Sequence, residues 1–367
     1  MAVDHVVAID TETTGLSFKD DLLSLAVAYP DGDGFATKSF NFRPDLYHEP
    51  YSIPQVQHEL APIVAAADLV CFHNITFDLA PLLRRGILLP QQVRGGVVFD
   101  TILGARMIGP WESVSLLNIC RALGFSDPDW ESMKSRRGVL DRMDVATLLE
   151  YNAADARKTA MVARKFARDA VAIYGEDFVR RKQDFGRLMS EIRARGKPLD
   201  LEATLSLSDR LHQEILNLNQ TVLFPAAIQG ANDREGILRF LKRNDLNPFK
   251  TTDKGNPSVD EESLLAMKDR GVPASVGRVI DAVLEARSKE KANATWVEGM
   301  FNHADQQGRV HANFTVAGAV SYRLTCSEPN VQAIPPEYYG IWQPFKSADY
   351  SQAELRVAAM YAGENVM

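Results

Sequence analysis

Two acidic side chains stand at the end of the first apolar stretch of the chain. Asp10 and Glu12 follow Val6-Val7-Ala8, a run that predicts a buried strand. Because side chains alternate along a strand, carboxylates two residues apart face the same side. Hard divalent cations such as Mg²⁺ prefer carboxylate oxygens. The pair is therefore one part of a candidate metal site, and the alternative is a polar turn with both acids in water.

Two later segments carry further acids. A predicted strand over 69–72 runs into His73-Asn74-Ile75-Thr76-Phe77-Asp78. A predicted helix over 144–170 contains Tyr151 and Asp155, which are four residues apart and therefore share a helix face. Taken alone, the second pair is more typical of a partly buried tyrosine beside a solvated acid.

The elements that must position these acids form an alternating pattern. Apolar runs bounded by turn residues predict strands over 5–9, 22–29, 35–42, 69–72 and 97–99. Helical periodicity predicts helices over 55–67, 78–85, 113–123 and 144–170. Three successive strands followed by alternating helices and strands predict a mixed α/β sheet with helices on its faces. Asp100, at the start of a helical stretch, fits a helix cap better than a metal ligand.

The three acidic segments together resemble a known superfamily. Their order, Asp-x-Glu, then His-Asn-x-x-Phe-Asp, then Tyr-x-x-x-Asp, is similar to that of the DEDD 3′→5′ exonucleases. The tyrosine subclass fits, since the histidine subclass would place a histidine where Glu150 stands. The resemblance implies an RNase H-like mixed five-stranded sheet flanked by helices over residues 1–172.

The same resemblance implies two divalent metal ions, Mg²⁺ or Mn²⁺, and a role for each site residue. Asp10 would bridge the ions, Glu12 and Asp155 would complete the site of the attacking water, and Asp78 would hold the second ion. Tyr151 would orient the water through its hydroxyl. Residues expected along the path of the terminal nucleotides are Thr13, Leu16, Asn74 and Phe77. Leu16 and Phe77 could instead belong to the core.

Beyond residue 172 the chain changes character. A basic segment is either a solvated helix face or a phosphate-facing stripe; it comprises Arg180, Arg181, Lys182, Arg187, Arg193, Arg195 and Lys197. Helices are predicted over 201–224, 261–269 and 276–300. Near the end stand Ser321-Tyr322-Arg323-Leu324-Thr325 and Asp349-Tyr350-Ser351-Gln352-Ala353-Glu354-Leu355-Arg356. The second of these resembles the first palm motif of family A DNA polymerases of the phage or bacterial type.

This second resemblance implies a mostly helical thumb over 173–300 and an incomplete α+β palm over 301–367. Asp349 would bind the polymerase metal ions, and Glu354 would pack near the sugar of the incoming nucleotide. Primer–template DNA would be contacted by Arg323, Asn330 and Gln332. Ser321-Tyr322 departs from the threonine-glycine that the family usually has there, which puts that DNA contact in question.

The fingers helix and the second metal aspartate of the family are expected after the palm motif, but the sequence runs only to Met367. We therefore expect no nucleotide addition by this chain alone. The chain is either cut or belongs to a split polymerase, in which a second polypeptide supplies the rest. The alternative function is that of an N-terminal assembly subunit of such a polymerase. Single-stranded or primer–template DNA is the expected substrate, and RNA is the alternative.

The composition of the chain limits the number of domains and the classes of protein to which it can belong. The 367 residues predict two or three domains, and the 46% hydrophobic and 24% charged fractions are ordinary for globular proteins. A net charge of −7 does not indicate nucleic-acid binding, although a basic groove can exist on an acidic protein. Three separated cysteines argue against a disulfide framework or a zinc site. Without an evident signal peptide or membrane span, we expect a cytoplasmic protein, in the bacterial host if phage-encoded.

Overall fold

The computed structural model describes residues 3–15, 17–44, 49–94, 97–134, 142–252, 254–319, 322–346 and 348–363. Leu16 and Ser321, two positions discussed above, lie outside these ranges. No helix within the described ranges is long and apolar enough to cross a membrane.

A five-stranded mixed sheet organises the N-terminal half. Its strands are β1 (Val6–Thr13), β2 (Leu22–Asp31), β3 (Gly34–Asn41), β4 (Leu69–Phe72) and β5 (Val97–Asp100). They lie in the order β3-β2-β1-β4-β5. β1 pairs antiparallel with β2 and parallel with β4, while β4 pairs parallel with β5. The predicted mixed sheet is confirmed, with β1 near its centre.

Seven helices in the described part of this half surround the sheet: α1 (Ile53–Ala65), α2 (Ile75–Arg84), α3 (Pro90–Arg94), α4 (Thr101–Ile108), α5 (Leu116–Leu123), α6 (Pro128–Lys134) and α7 (Val145–Tyr174). Val6 and Ala8 of β1 share an apolar core with α7. Val7 and Ile9 share the core on the opposite face with α1 and α2. This alternation means that even-numbered residues of β1 face α7.

Helix α2 begins earlier than the sequence pattern predicted. The expected helix over 78–85 starts instead at Ile75, and Asn74 precedes it with a left-handed backbone of φ 79°. Asp78 therefore lies one turn inside α2 rather than at its start. The reason is a contact from the next strand, because the Asp100 carboxylate accepts from the backbone N–H groups of Asn74 and Ile75 at 3.1 and 3.3 Å.

The C-terminal half is mostly helical, with α8 (Glu176–Arg195), α9 (Leu201–Leu218), α10 (Arg234–Arg243), α11 (Glu261–Asp269), α12 (Ala274–Ala292), α13 (Glu298–His303) and α14 (Ala353–Ala362). A π-helical segment interrupts each of two predicted helices. Asn219–Leu223 interrupts the helix over 201–224, and Asn293–Val297 interrupts the helix over 276–300. Two short antiparallel pairs join β6 (Lys197–Pro198) to β7 (Arg309–Val310), and β8 (Asn313–Thr315) to β9 (Thr325–Ser327). The domain limits at 172 and 300 stay predictions.

Helix α8 attaches this half to the sheet half. A Cβ atom on Gly186 would lie 2.8 Å from Cγ2 of Ile75, so only glycine allows this close approach of α8 to α2. Arg193, which is buried, donates from Nη1 to the Thr76 carbonyl at 2.7 Å. Thr76 in turn donates from Oγ1 to the Phe314 carbonyl at 2.5 Å. Arg193 therefore supports α2 and is neither solvated nor free to face a phosphate.

Candidate active site

Three carboxylates meet at the end of β1. Asp10, Glu12 and Asp155 each place one oxygen so that all three lie within 4.8 Å of one another. They are 9%, 4% and 3% exposed. Asp10 and Glu12 face α7 because they occupy even positions of β1, and Asp155 projects from that helix. Such a cluster of buried carboxylates is costly unless a cation balances it, and its all-oxygen donor set suits Mg²⁺ or Mn²⁺.

Protein N–H donors orient two of the three carboxylates. Asn152 donates from Nδ2 to Oδ2 of Asp10 at 2.6 Å, and Ser24 fixes that amide by donating to its Oδ1 at 3.0 Å. Trp130 donates from Nε1 to Oδ1 of Asp155 at 2.6 Å. The sequence patterns predicted neither donor. Asn152 stands three residues before Asp155, so helical periodicity could have placed it on the same face, whereas no local signal marks Trp130.

Asp78 approaches the cluster from the other face of the sheet. Its Oδ1 accepts hydrogen bonds from the backbone N–H of Thr11 at 3.0 Å and from Oγ1 of Thr11 at 2.6 Å. Thr11 lies between Asp10 and Glu12 and points towards α2, as strand alternation requires. Burial and then the charge of Asp10 raise the pKa of Asp78 well above its ordinary value, despite these donors. A bound cation would relieve that penalty.

A cavity of about 290 Å³ contains all four carboxylates. Part of its wall is apolar and comes from Phe77 on α2 and from Leu116 and Leu117 on α5. Phe77 is half-buried, so one part of its ring is available to a ligand. The cavity therefore combines a cluster of carboxylates with an apolar wall, and this combination would suit a cation beside a stacked base.

The other residues expected along the nucleotide path make local contacts. Thr13 donates from Oγ1 to the Gly15 carbonyl at 2.6 Å. Oδ1 of Asn74 lies 3.1 Å from Oγ1 of Thr76, whose proton is donated to the Phe314 carbonyl. Leu16 lies outside the described residues. The prediction that Asp100 caps a helix is confirmed, because it accepts from the Ile102 N–H at 2.9 Å.

Tyr151 occupies a small apolar cluster one turn before Asp155. Its side chain is fully buried and packs with Leu23, Met143 and Leu148. The part expected for it in orienting water stays a prediction.

The polymerase-like residues lie on the surface of the C-terminal part. Asp349 and Glu354 line a shallow groove of about 610 Å³ at the start of α14, and Arg323 forms an ion pair with Glu354. Asn330 accepts at Oδ1 from the Gln332 N–H at 3.1 Å, and both side chains are exposed. The structure therefore brings Arg323 and Glu354 together, 31 residues apart in the chain.

Comparisons with known proteins match both parts of the chain. A family model described as 3′-5′ exonuclease matches residues 2–170, and one described as DNA polymerase family A matches residues 203–367. The chain therefore carries a 3′-5′ exonuclease domain followed by part of a family A DNA polymerase domain. DNA polymerase I of Synechocystis is 28% identical over 99% of this chain, and DNA polymerase I of Aquifex aeolicus is 26% identical over 80% of it.

These family A relatives are longer than the chain, which spans 38% of the Synechocystis protein and 52% of the Aquifex protein. Among solved structures, the polymerase domain of Pol1 from M. smegmatis, bound to primer–template DNA and dNTP, covers 96% of this chain with a TM-score of 0.67. This chain covers 58% of that structure, and at 20% identity the likeness establishes the fold alone. The expected family A fold, a sheet domain followed by a helical region, is confirmed.

Proposed function

We propose that the N-terminal half is a two-metal 3′→5′ exonuclease that removes nucleotides from DNA 3′ ends. The observation that carries this proposal is the cluster of Asp10, Glu12 and Asp155, with Asp78 in the same cavity. Four carboxylates at one cavity have the capacity to hold two divalent cations. The match of residues 2–170 to the exonuclease family supports the reaction class.

Each carboxylate has a proposed part. Asp10 would contact both ions, Glu12 and Asp155 would hold the ion beside the attacking water, and Asp78 would hold the other. Two such ions, when bound, lower the pKa of the attacking water and stabilise the leaving 3′ oxygen. Asn152 and Trp130 keep two of the carboxylates oriented before any ion arrives.

The remaining site residues would bind the DNA end. Phe77 offers its ring to the terminal base, and Leu116 and Leu117 exclude water on the same side of the cavity. Thr13, Leu16 and Asn74 would contact the last nucleotides. Tyr151 would orient the attacking water, which requires its buried hydroxyl to reach the cavity, and Tyr151→Phe tests this part separately.

The direct test is digestion of a 5′-labelled single-stranded DNA by the purified chain, with Mg²⁺ or with EDTA. We expect a ladder that shortens from the 3′ end with Mg²⁺ alone. Asp10→Ala combined with Glu12→Ala should abolish it. Glu150→Gln is the matched control, because Glu150 is an exposed carboxylate on the same helix as Asp155 and should leave the ladder unchanged. An RNA strand of equal sequence, digested faster than DNA, would change the proposed substrate.

For the C-terminal half we propose primer–template DNA binding, with Asp349 as a metal ligand and Glu354 beside the nucleotide sugar. Arg323, Asn330 and Gln332 would contact the duplex, and the match of residues 203–367 to the polymerase family supports this. The comparisons do not support the second polypeptide expected from the sequence, and the relatives compared above are bacterial. The bacterial relatives favour the bacterial cytoplasm as its location.

A further inference from the structure

One buried indole contacts the carboxylate cluster from behind. Trp130 on α6 is 1% exposed, and its Nε1, the only polar atom of the side chain, donates to Oδ1 of Asp155 at 2.6 Å. The two residues belong to different elements and are 25 positions apart in the chain. Hydrogen bonds from an N–H to a carboxylate are directional and stronger than neutral ones, so this bond limits rotation of the Asp155 carboxylate.

The indole is itself held in place. The Asp127 carboxylate accepts from the Trp130 backbone N–H at 2.9 Å and from Nζ of Lys158 at 2.6 Å. The Lys158 ammonium lies 5.5 Å from the centre of the Trp130 ring, within the range of a cation–π contact. Lys158 lies three residues after Asp155 on α7. Asp155, which accepts from the indole, and Lys158, which lies against its ring, are therefore neighbours on one helix face.

A purely structural role would explain the burial of the ring but not the choice of partner. Trp130 belongs to the apolar core between the sheet and α7, and a buried indole N–H needs an acceptor. A backbone carbonyl could accept from this N–H, and no charged group would then be needed. The acceptor is instead one of the three clustered carboxylates, whose orientation decides whether a cation can be bound.

We propose that Trp130 is a positioning residue, which holds the Asp155 carboxylate in the orientation that binds a divalent cation. It acts through Asp155 and does not itself contact substrate. The proposal rests on the proposed exonuclease function, since it assigns a cation to the cluster. Loss of a residue that orients a metal ligand typically weakens metal affinity by about 10–100-fold.

The test is Mn²⁺ binding, followed by electron paramagnetic resonance, to the full chain and to Trp130→Phe. Phenylalanine keeps an aromatic ring in the core but has no N–H. We expect Mn²⁺ affinity to fall about 10-fold or more, with the activity of the variant partly restored at high Mg²⁺. Trp111→Phe is the matched control, because Trp111 packs against Phe166 in the same core and should leave affinity unchanged.

A second readout is indole fluorescence during Mg²⁺ titration. We expect a change in the wild type and in Trp111→Phe that is absent from Trp130→Phe. If Trp130→Phe fails to fold, Lys158→Met removes the cation above the indole and should lower Mn²⁺ affinity several-fold.

The outcomes separate the two proposals. Wild-type Mn²⁺ affinity in Trp130→Phe would overturn the positioning role, as would wild-type affinity in Lys158→Met together with a silent fluorescence titration. Absence of Mn²⁺ binding by the wild type would instead overturn the proposed metal-dependent function.

Discussion

Replacing Thr11 by valine should destabilise the folded protein, because it removes one hydrogen bond to Asp78. Thr11 is buried, and its Oγ1 donates to Asp78 at 2.6 Å. Hydrogen bonds to charged groups contribute about 1.5–3 kcal/mol. Valine keeps the β-branched shape that suits a strand, and the backbone N–H of residue 11 can still donate to Asp78. The expected loss of unfolding free energy is therefore about 1.5–3 kcal/mol.

Thermal unfolding with saturating Mg²⁺ measures this loss, because a bound cation keeps Asp78 ionised. A change of 1 kcal/mol moves the midpoint of a domain of this size by about 2–4 °C, so Thr11→Val should lower it by about 3–12 °C. Thr11→Ser keeps the hydroxyl and loses one methyl group, at a cost of about 1 kcal/mol or less. A Thr11→Val protein at least as stable as Thr11→Ser would refute the reasoning.

Three further predictions concern α2 and its neighbours. Because the pKa of Asp78 is raised, the metal-free protein loses stability as pH rises from about 4 through that pKa. Asp78→Asn should therefore raise the melting temperature in EDTA at pH 8 but not near pH 4. Asp209 is exposed, and Asp209→Asn should leave the melting temperature unchanged at both pH values. Phe77→Ala should raise the KM for single-stranded DNA about 10-fold or more with a smaller change in kcat, measured by steady-state digestion. Gly186→Ala should lower stability by about 1–3 kcal/mol in urea unfolding, against its gain in helix propensity, because its Cβ would meet Ile75.

Local patterns account for most of what could be predicted. The strands were predictable because β-branched and apolar runs end at clear turns, such as the one between β2 and β3 at Asp31–Gly34. Asp10 and Glu12 could be placed on one face because strand alternation needs no tertiary information. The helical position of Asp155 alone favours a solvated acid, and its place in the site comes from the resemblance of the three acidic segments to the exonucleases.

The features of the structure that could not be predicted depend on contacts between distant parts of the chain. Helix α2 starts at Ile75 because Asp100, from the next strand, accepts the N–H groups at its beginning. Trp130 donates to Asp155, which is 25 residues away in the chain, and no sequence periodicity predicts that hydrogen bond. The sequence predicts a basic surface that includes Arg193, because it shows the charge of this residue but not its acceptor, the Thr76 carbonyl.

The number and position of the bound cations test the central claim most directly. A crystal of the wild-type chain soaked in Mn²⁺ should show two anomalous difference peaks in the cavity. One should lie among Asp10, Glu12 and Asp155, and the other between Asp10 and Asp78. Asp78→Asn should lose or weaken the second peak and keep the first. A single peak, or none, in the wild type at saturating Mn²⁺ would contradict a two-metal exonuclease site.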